Sequence, residues 1–362
     1  MNSDSASVLK LFSKPYKDIP IIMQDRFLRA CRREAVDATP VWFMRQAGRA
    51  LPEYRAIREQ YGFMDICYQP ELCAEVTLQP VRRLGVDAAI MFADIMTPLI
   101  ATGVGVDLVE SIGPVVANPI RTMADVSRIR PIEPEVDVPY ISKSIHLLKA
   151  ELGQTPLIGF AGAPFTLAAY LVEGKGSKNF LNTKALMYGS PNVWNALMER
   201  LADLTISYLR VKIAAGVDAL QLFDSWVGCL SPHDYATFVQ PYTARILKTL
   251  REETNIPLIH FGTNTTNLLP LMRNDGGSVL GADWRIPIDE AWELIGDDKA
   301  IQGNLDPAVL LGPWEYVREQ AADILRRVNR RPGHIFNLGH GIHPQTPVAN
   351  LERLVAFIHE RA

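Results

Sequence analysis

The sequence predicts a single-domain (β/α)8 barrel, a TIM-type fold of the α/β class, on three observations. Eight short apolar runs rich in β-branched residues recur along the chain, a helical pattern follows each, and polar side chains gather where the runs end. The runs are PVWFM (40–44), VDAAIMF (86–92), PLIGFAG (156–162), DALQLF (218–223), PLIHF (257–261), SVLGAD (278–283), AIQGNL (300–305) and HIFNLG (334–339). Residues 191–216 typify what lies between them, a helical period with proline near its start and glycine just past its end. Strands buried on both faces and alternating with helices fit a parallel barrel, with an open sheet carrying extra strands as the alternative that periodicity leaves. No internal repeat or low-complexity linker divides the chain, so residues 21–362 read as the barrel and 1–20 as a flexible N-terminal segment. The glycine-rich, alternating stretch 104–121 reads as a hairpin inserted after the second run.

Composition narrows the function classes. With 362 residues, 48% of them hydrophobic and 21% charged, the chain has the make-up of a soluble globular protein of enzyme size. A formal net charge of -3 lacks the basic excess of a general nucleic-acid binder, so an anionic ligand must be met by a local cluster. No stretch approaches the roughly 18 apolar residues of a membrane span, and the first twenty residues lack the apolar core of a signal peptide. Cys31, Cys67, Cys73 and Cys229 form no C-x-x-C pair, which suits free thiols in a reducing, cytoplasmic compartment.

A barrel places its active site at the carboxyl ends of its strands. There the first run ends in Arg45 and Arg49, the second in Asp94, the third in residues 163–174, the fourth in Asp224 and Ser225, and the eighth in His340. The segment FMRQAGRALPEYRAIR (43–58) holds four arginines. Arg55 and Arg58 sit one turn apart in a segment that opens with Pro52 and Glu53, so they read as the wet face of a helix. Arg45 and Arg49 flank Gln46, Ala47 and Gly48 where a buried run gives way to a loop, a position that asks for a ligand.

Other motifs fail on inspection. EGKGSKNF (173–180) lacks the first glycine of a phosphate loop, since position 169 is alanine, and Lys175 is followed by glycine. His340 and His343 form an H-x-x-H pair without a helical frame or a cysteine partner, so no metal site is expected. GVGV (103–106) lacks the third glycine of a dinucleotide fingerprint. No cofactor is signalled.

Two stretches, PVWFMRQAGRALPEYR (40–55) and GFAGAPFTLAAYLVEG (159–174), closely resemble the signatures of the uroporphyrinogen decarboxylase family. Similarity at FADI, LQLFDSWVG, IQGNLDP and FNLGHGI extends the match from about residue 20 to the C-terminus. The resemblance implies a distorted barrel, a homodimer, and cofactor-free conversion of the four acetate arms of uroporphyrinogen III to methyls, giving coproporphyrinogen III and carbon dioxide. It implies Asp94 beneath the ring centre and, with Arg45, in the catalysis. It further implies that Arg45 and Arg49 face the cleft with the main chain of Gln46, Ala47 and Gly48, that Arg58 joins them, and that Tyr170, Ser225 and His340 bond substrate side chains. The glycine- and lysine-containing residues 172–179 read either as a mobile lid or as a plain solvated loop. The chain departs from relatives at Ala50, where some carry tyrosine, and at Ala93, where others have serine. A zinc-dependent corrinoid or coenzyme M methyltransferase of the same barrel superfamily is the alternative, as is a non-catalytic tetrapyrrole binder; strand five offers IHFG with no cysteine two positions beyond His260.

Overall fold

A computed structural model describes residues 25–109 and 112–361, so the expected flexible segment 1–20 lies outside the described residues. Seven strands form one parallel sheet: β1 (Ala89–Ile90), β4 (Leu157–Gly162), β5 (Ala219–Asp224), β6 (Leu258–Gly262), β7 (Val279–Gly281), β8 (Ala300–Gln302) and β9 (His334–Ile335), neighbouring in that order. The remaining strands, β2 (Val106–Val109) and β3 (Gly113–Val116), pair antiparallel as the hairpin read from residues 104–121.

The first apolar run closes the ring without becoming a regular strand. Val41 bridges Phe336 in parallel, and on its other side its carbonyl accepts from the Asp87 amide at 2.8 Å. The ladder stops there because side chains take the next amides: Phe43 donates to Gln46 Oε1 at 2.9 Å and Met44 to Asn337 Oδ1 at 3.1 Å. Residues 40–44 were expected to be a full strand, and local side-chain competition reduces them to one bridge.

The parallel strands are buried throughout except at the half-buried Phe223, as a barrel wall between an inner core and outer helices requires. A polar string crosses the interior, from Trp42 Nε1 to Gln302 and from Gln302 to Gln221, each bond 3.0 Å long. The helix Pro191–Ala215 stops at Gly216, whose left-handed φ of 99° ends it without a Cβ penalty. The hairpin latches onto the helix Pro164–Glu173, where Val116 donates to the Gly174 carbonyl at 2.7 Å and Ile120 to that of Leu171 at 2.9 Å. That tie, with Glu173 accepting from Asn182 and Thr183, anchors one end of the 172–179 loop.

Candidate active site

The loop after the first run is built to present charge. Arg45 has a φ of 61°, a left-handed conformation that costs a non-glycine residue roughly 1–2 kcal/mol. Its stem lies across Gly341, where an added Cβ would sit 2.6 Å from Arg45 Cγ and 3.0 Å from Nε. Gln46 is buried: its amide donates to Phe43, and its side chain ties Phe43 to the Ala88 carbonyl. Gln46 is therefore the strut of the loop, with its side chain and its amide both engaged within the protein. Beyond it, the consecutive amides of Ala47, Gly48, Arg49 and Ala50 find no acceptor among the described residues. Such a run of unmet N–H groups has the make-up of an anion-binding concavity, with the exposed Arg49 inside it and the exposed Arg45 two residues before it.

Among the described residues, none of Arg45, Arg49, Arg55 and Arg58 pairs with a carboxylate. Arg55 is exposed as expected, yet its Nη1 donates to the carbonyls of Arg49 at 2.8 Å and Ala50 at 3.0 Å. It braces the loop. Arg58 is half-buried and donates to the Tyr61 carbonyl at 2.6 Å, and with Arg49 it flanks the Tyr54 hydroxyl.

Arg45 is the electrostatic centre of the mouth, since its charge acts on Asp94, Tyr170 and His340 alike. Asp94 follows β1 and is half-buried. Its Oδ1 accepts from the Met96 amide at 2.8 Å, while Oδ2 finds no donor among the described residues. Desolvation raises its pKa, and the Met96 amide and Arg45 only partly offset that. A carboxylate so placed has unmet demand for donors.

Tyr170 projects from the helix after β4 and packs against Trp226 with ring centroids 4.2 Å apart. Burial first, and then Asp94, push its hydroxyl pKa up to about 12, so it stays a neutral donor. Ser225 precedes Trp226 at the end of β5, and its carbonyl is held by the Thr263 hydroxyl. His340 is half-buried; burial, Arg45 and Arg285 lower its pKa to about 4, and its Nδ1 accepts from the Gly341 amide at 2.7 Å. His343 is exposed.

The structure adds residues that the sequence reading passed over. Asp283, at the end of the sixth run, pairs with Arg285, and both act on His340. The rule that found Asp94 and Ser225, a polar group ending an apolar run, applied equally there. Position 262, two beyond His260, is glycine, where a Cβ would meet Thr265 Cγ2 at 2.7 Å. Neither a thiolate nor the room for one exists at that place.

A parallel barrel whose mouth sets exposed guanidinium groups and unmet amides beside a desolvated acid defines a class: barrel proteins with a charged, polar mouth at the carboxyl ends of their strands. Within that class, the chain belongs to the uroporphyrinogen decarboxylase family, whose model, Uroporphyrinogen decarboxylase (URO-D), matches residues 23–361. It is 52% identical over 339 residues to the Uroporphyrinogen decarboxylase of Carboxydothermus hydrogenoformans, covering 93% of this chain and 97% of the relative. It is 55% identical over 338 residues to that of Geobacillus kaustophilus, with the same coverage of each. Among solved structures, a methyltransferase from Methanosarcina mazei superposes with a TM-score of 0.78 at 20% identity, covering 93% of this chain and 98% of that one. This likeness establishes the shared barrel fold.

Proposed function

We propose that the protein decarboxylates the four acetate arms of uroporphyrinogen III to methyls, giving coproporphyrinogen III, with Asp94 and Arg45 as its catalytic residues. The observation that carries this reading is Asp94 itself: a half-buried carboxylate with one oxygen lacking a donor, acted on by Arg45 and itself acting on Tyr170. An ionised carboxylate offers about four lone-pair sites, enough to accept from the inward-pointing N–H groups of four pyrroles. These donors would supply what burial withholds from Asp94.

The chemistry needs an electron sink. A proton added to the ring carbon next to the one that bears the acetate arm makes the ring an iminium conjugated with that arm. The bond to the carboxylate then breaks, carbon dioxide leaves, and the electron pair flows to the ring nitrogen, leaving an exocyclic methylene. A proton taken up at that methylene and another lost from the ring carbon restore the pyrrole with a methyl group. Each turnover thus replaces one carbon dioxide by one proton. Asp94 stabilises the cationic intermediate more than the neutral ring, which is the differential interaction that catalysis requires.

Arg45 holds the reacting carboxylate. Arg49, Arg58 and the amides of Ala47 and Gly48 take other acid arms, while Tyr170, Ser225 and His340 bond the rim, His340 as a neutral imidazole. Gln46 contributes by holding that loop. The protein works in the cytoplasm as a homodimer. Exposed Leu181 and Tyr188, on one helix beside the 172–179 loop, support a covered face there. Among the described residues no helix is long and apolar enough to cross a membrane.

The test is incubation of purified protein with uroporphyrinogen III, with excess chelator present, and chromatography of the products by carboxyl count. Stepwise loss from eight carboxyls to four is expected; unchanged substrate overturns the reading.

A further inference from the structure

Between β1 and β4 the sheet lacks a rung, and a lysine fills it. Ala89 donates to the Pro156 carbonyl at 2.9 Å, and Met91 to that of Ile158 at 3.0 Å. The evenly spaced bonds of a parallel ladder would next join the Ala93 amide to the Phe160 carbonyl. By then the chain has turned outward: the Phe92 amide goes to Thr77 Oγ1 at 2.9 Å, and the Phe92 carbonyl accepts from Cys73 Sγ at 3.2 Å. Lys212 Nζ takes the vacant place and donates to the Phe160 carbonyl at 2.6 Å.

Lys212 comes from the outer helix Pro191–Ala215 and runs its stem past Gly159, where an added Cβ would lie 3.1 Å from Lys212 Cδ. Its Nζ ends 4.8 Å from the centre of the Phe160 ring and 4.4 Å from that of Tyr208, wholly buried. Among the described residues it has no carboxylate partner. The titratable groups facing it are Cys73, from Pro70–Leu84, and Cys67, from Phe63–Tyr68. Tyr208, from its own helix, and beyond it Tyr140, from Pro139–Leu152, complete the cluster. Burial draws the Lys212 pKa down to about 7, and the two thiols only partly resist.

A buried, unpaired ammonium is costly, and an apolar side chain of the same length would fill the space without that penalty. What the lysine uniquely supplies is a hydrogen bond at the point where β1 and β4 part. Asp94 lies two residues beyond that parting, so its position over the barrel mouth depends on where the two strands separate. We propose that Lys212 is a positioning residue for Asp94, splinting the gap between β1 and β4 so that the Asp94 carboxylate is held beneath the ligand. This rests on the catalytic reading of Asp94 given above. Lys212, with no exposed surface, touches no substrate.

The experiment compares the full-length protein with Lys212→Met, which keeps the stem and removes the donor, and with Lys212→Gln, which keeps a shorter one. Melting temperature, kcat and KM are measured, and the Asp94 carboxyl is titrated by carbon-13 NMR, assigned by its loss in Asp94→Asn. For Lys212→Met, a folded protein is expected whose kcat falls roughly tenfold or more while KM stays within about threefold, since an ångström of misplacement is felt in the chemical step. The Asp94 titration midpoint should move, with a smaller effect in Lys212→Gln. A purely structural lysine would lower the melting temperature and leave the kcat of the folded protein and the Asp94 midpoint alone, overturning the proposal. Failure of both variants to fold overturns it too, because the lysine would then serve the whole barrel. If the wild-type protein does not decarboxylate uroporphyrinogen, the functional reading fails, while the shift of the Asp94 midpoint still decides this one.

Discussion

Replacing Gly341 by alanine should move Arg45 without altering it. An added Cβ would lie 2.6 Å from Arg45 Cγ and 3.0 Å from Nε, with Cδ nearer still. Comfortable carbon contacts need about 3.5–4.0 Å, so the arginine must shift by roughly 1 Å. Gly341 is not among the glycines of positive φ, so its backbone accepts alanine, and the atoms in the way belong to a flexible side chain. The fold should therefore lose about 1 kcal/mol at most. The function should lose more. If Arg45 grips a carboxylate bidentately, misaligning its planar fork costs on the order of 1.5–3 kcal/mol. That corresponds to about ten- to hundredfold in kcat/KM for uroporphyrinogen decarboxylation. Arg45→Lys should show a similar loss, and the double variant little more than either single one, because both disturb one contact. Initial rates and melting temperatures on the four proteins of this cycle suffice. Wild-type kcat/KM in a folded Gly341→Ala protein would refute the placement of Arg45 at the reacting arm.

Two further outcomes follow from the same geometry. Arg55→Lys should raise KM and lower stability by about 1 kcal/mol, because a lysine ammonium cannot reproduce the hold on the Arg49 and Ala50 carbonyls; unchanged KM and melting temperature would make Arg55 an ordinary surface group. His340, lowered to about 4 by burial and by Arg45 and Arg285, contributes stability that is complete above its unfolded pKa of roughly 6.5 and is lost as pH falls through the folded value. Urea unfolding between pH 4 and 7 should therefore show a shallower acid decline in His340→Asn than in the wild type, and matching declines would contradict the neutral imidazole.

Much of this was legible in the residues because barrel strands are buried on both faces and write themselves as apolar runs. All eight runs fall at sheet positions, and the hairpin formed where alternation placed it. The lengths were not legible. Residues 86–92 yield only Ala89–Ile90, since Thr77 and Cys73 on a neighbouring helix pull the chain aside at Phe92. Residues 40–44 yield one bridge, since Gln46 and Asn337 take the amides a ladder would use. Both effects depend on tertiary partners. The site divides the same way: charged groups ending apolar runs announce themselves, whereas the Gly341 cradle and the buried Lys212 depend on contacts across long stretches of chain. Gln46 was expected at the cleft through its main chain, and the inward hold of its side chain on Phe43 and Ala88 is a tertiary feature that the motif does not announce.

The central claim is that an ionised Asp94 counters positive charge in the ring, and Asp94→Asn tests it most directly. An amide keeps the shape, removes the charge, and replaces an acceptor with a donor aimed at pyrrole N–H groups. Because burial disfavours the charged form of Asp94, the variant should fold with at least wild-type stability. Its kcat on uroporphyrinogen III, measured by product carboxyl count, should fall on the order of a hundredfold or more, as when a preorganised electrostatic contact is removed. Turnover by a folded Asp94→Asn protein within about twofold of the wild type, well under the 1.4 kcal/mol that a tenfold change represents, would contradict the account.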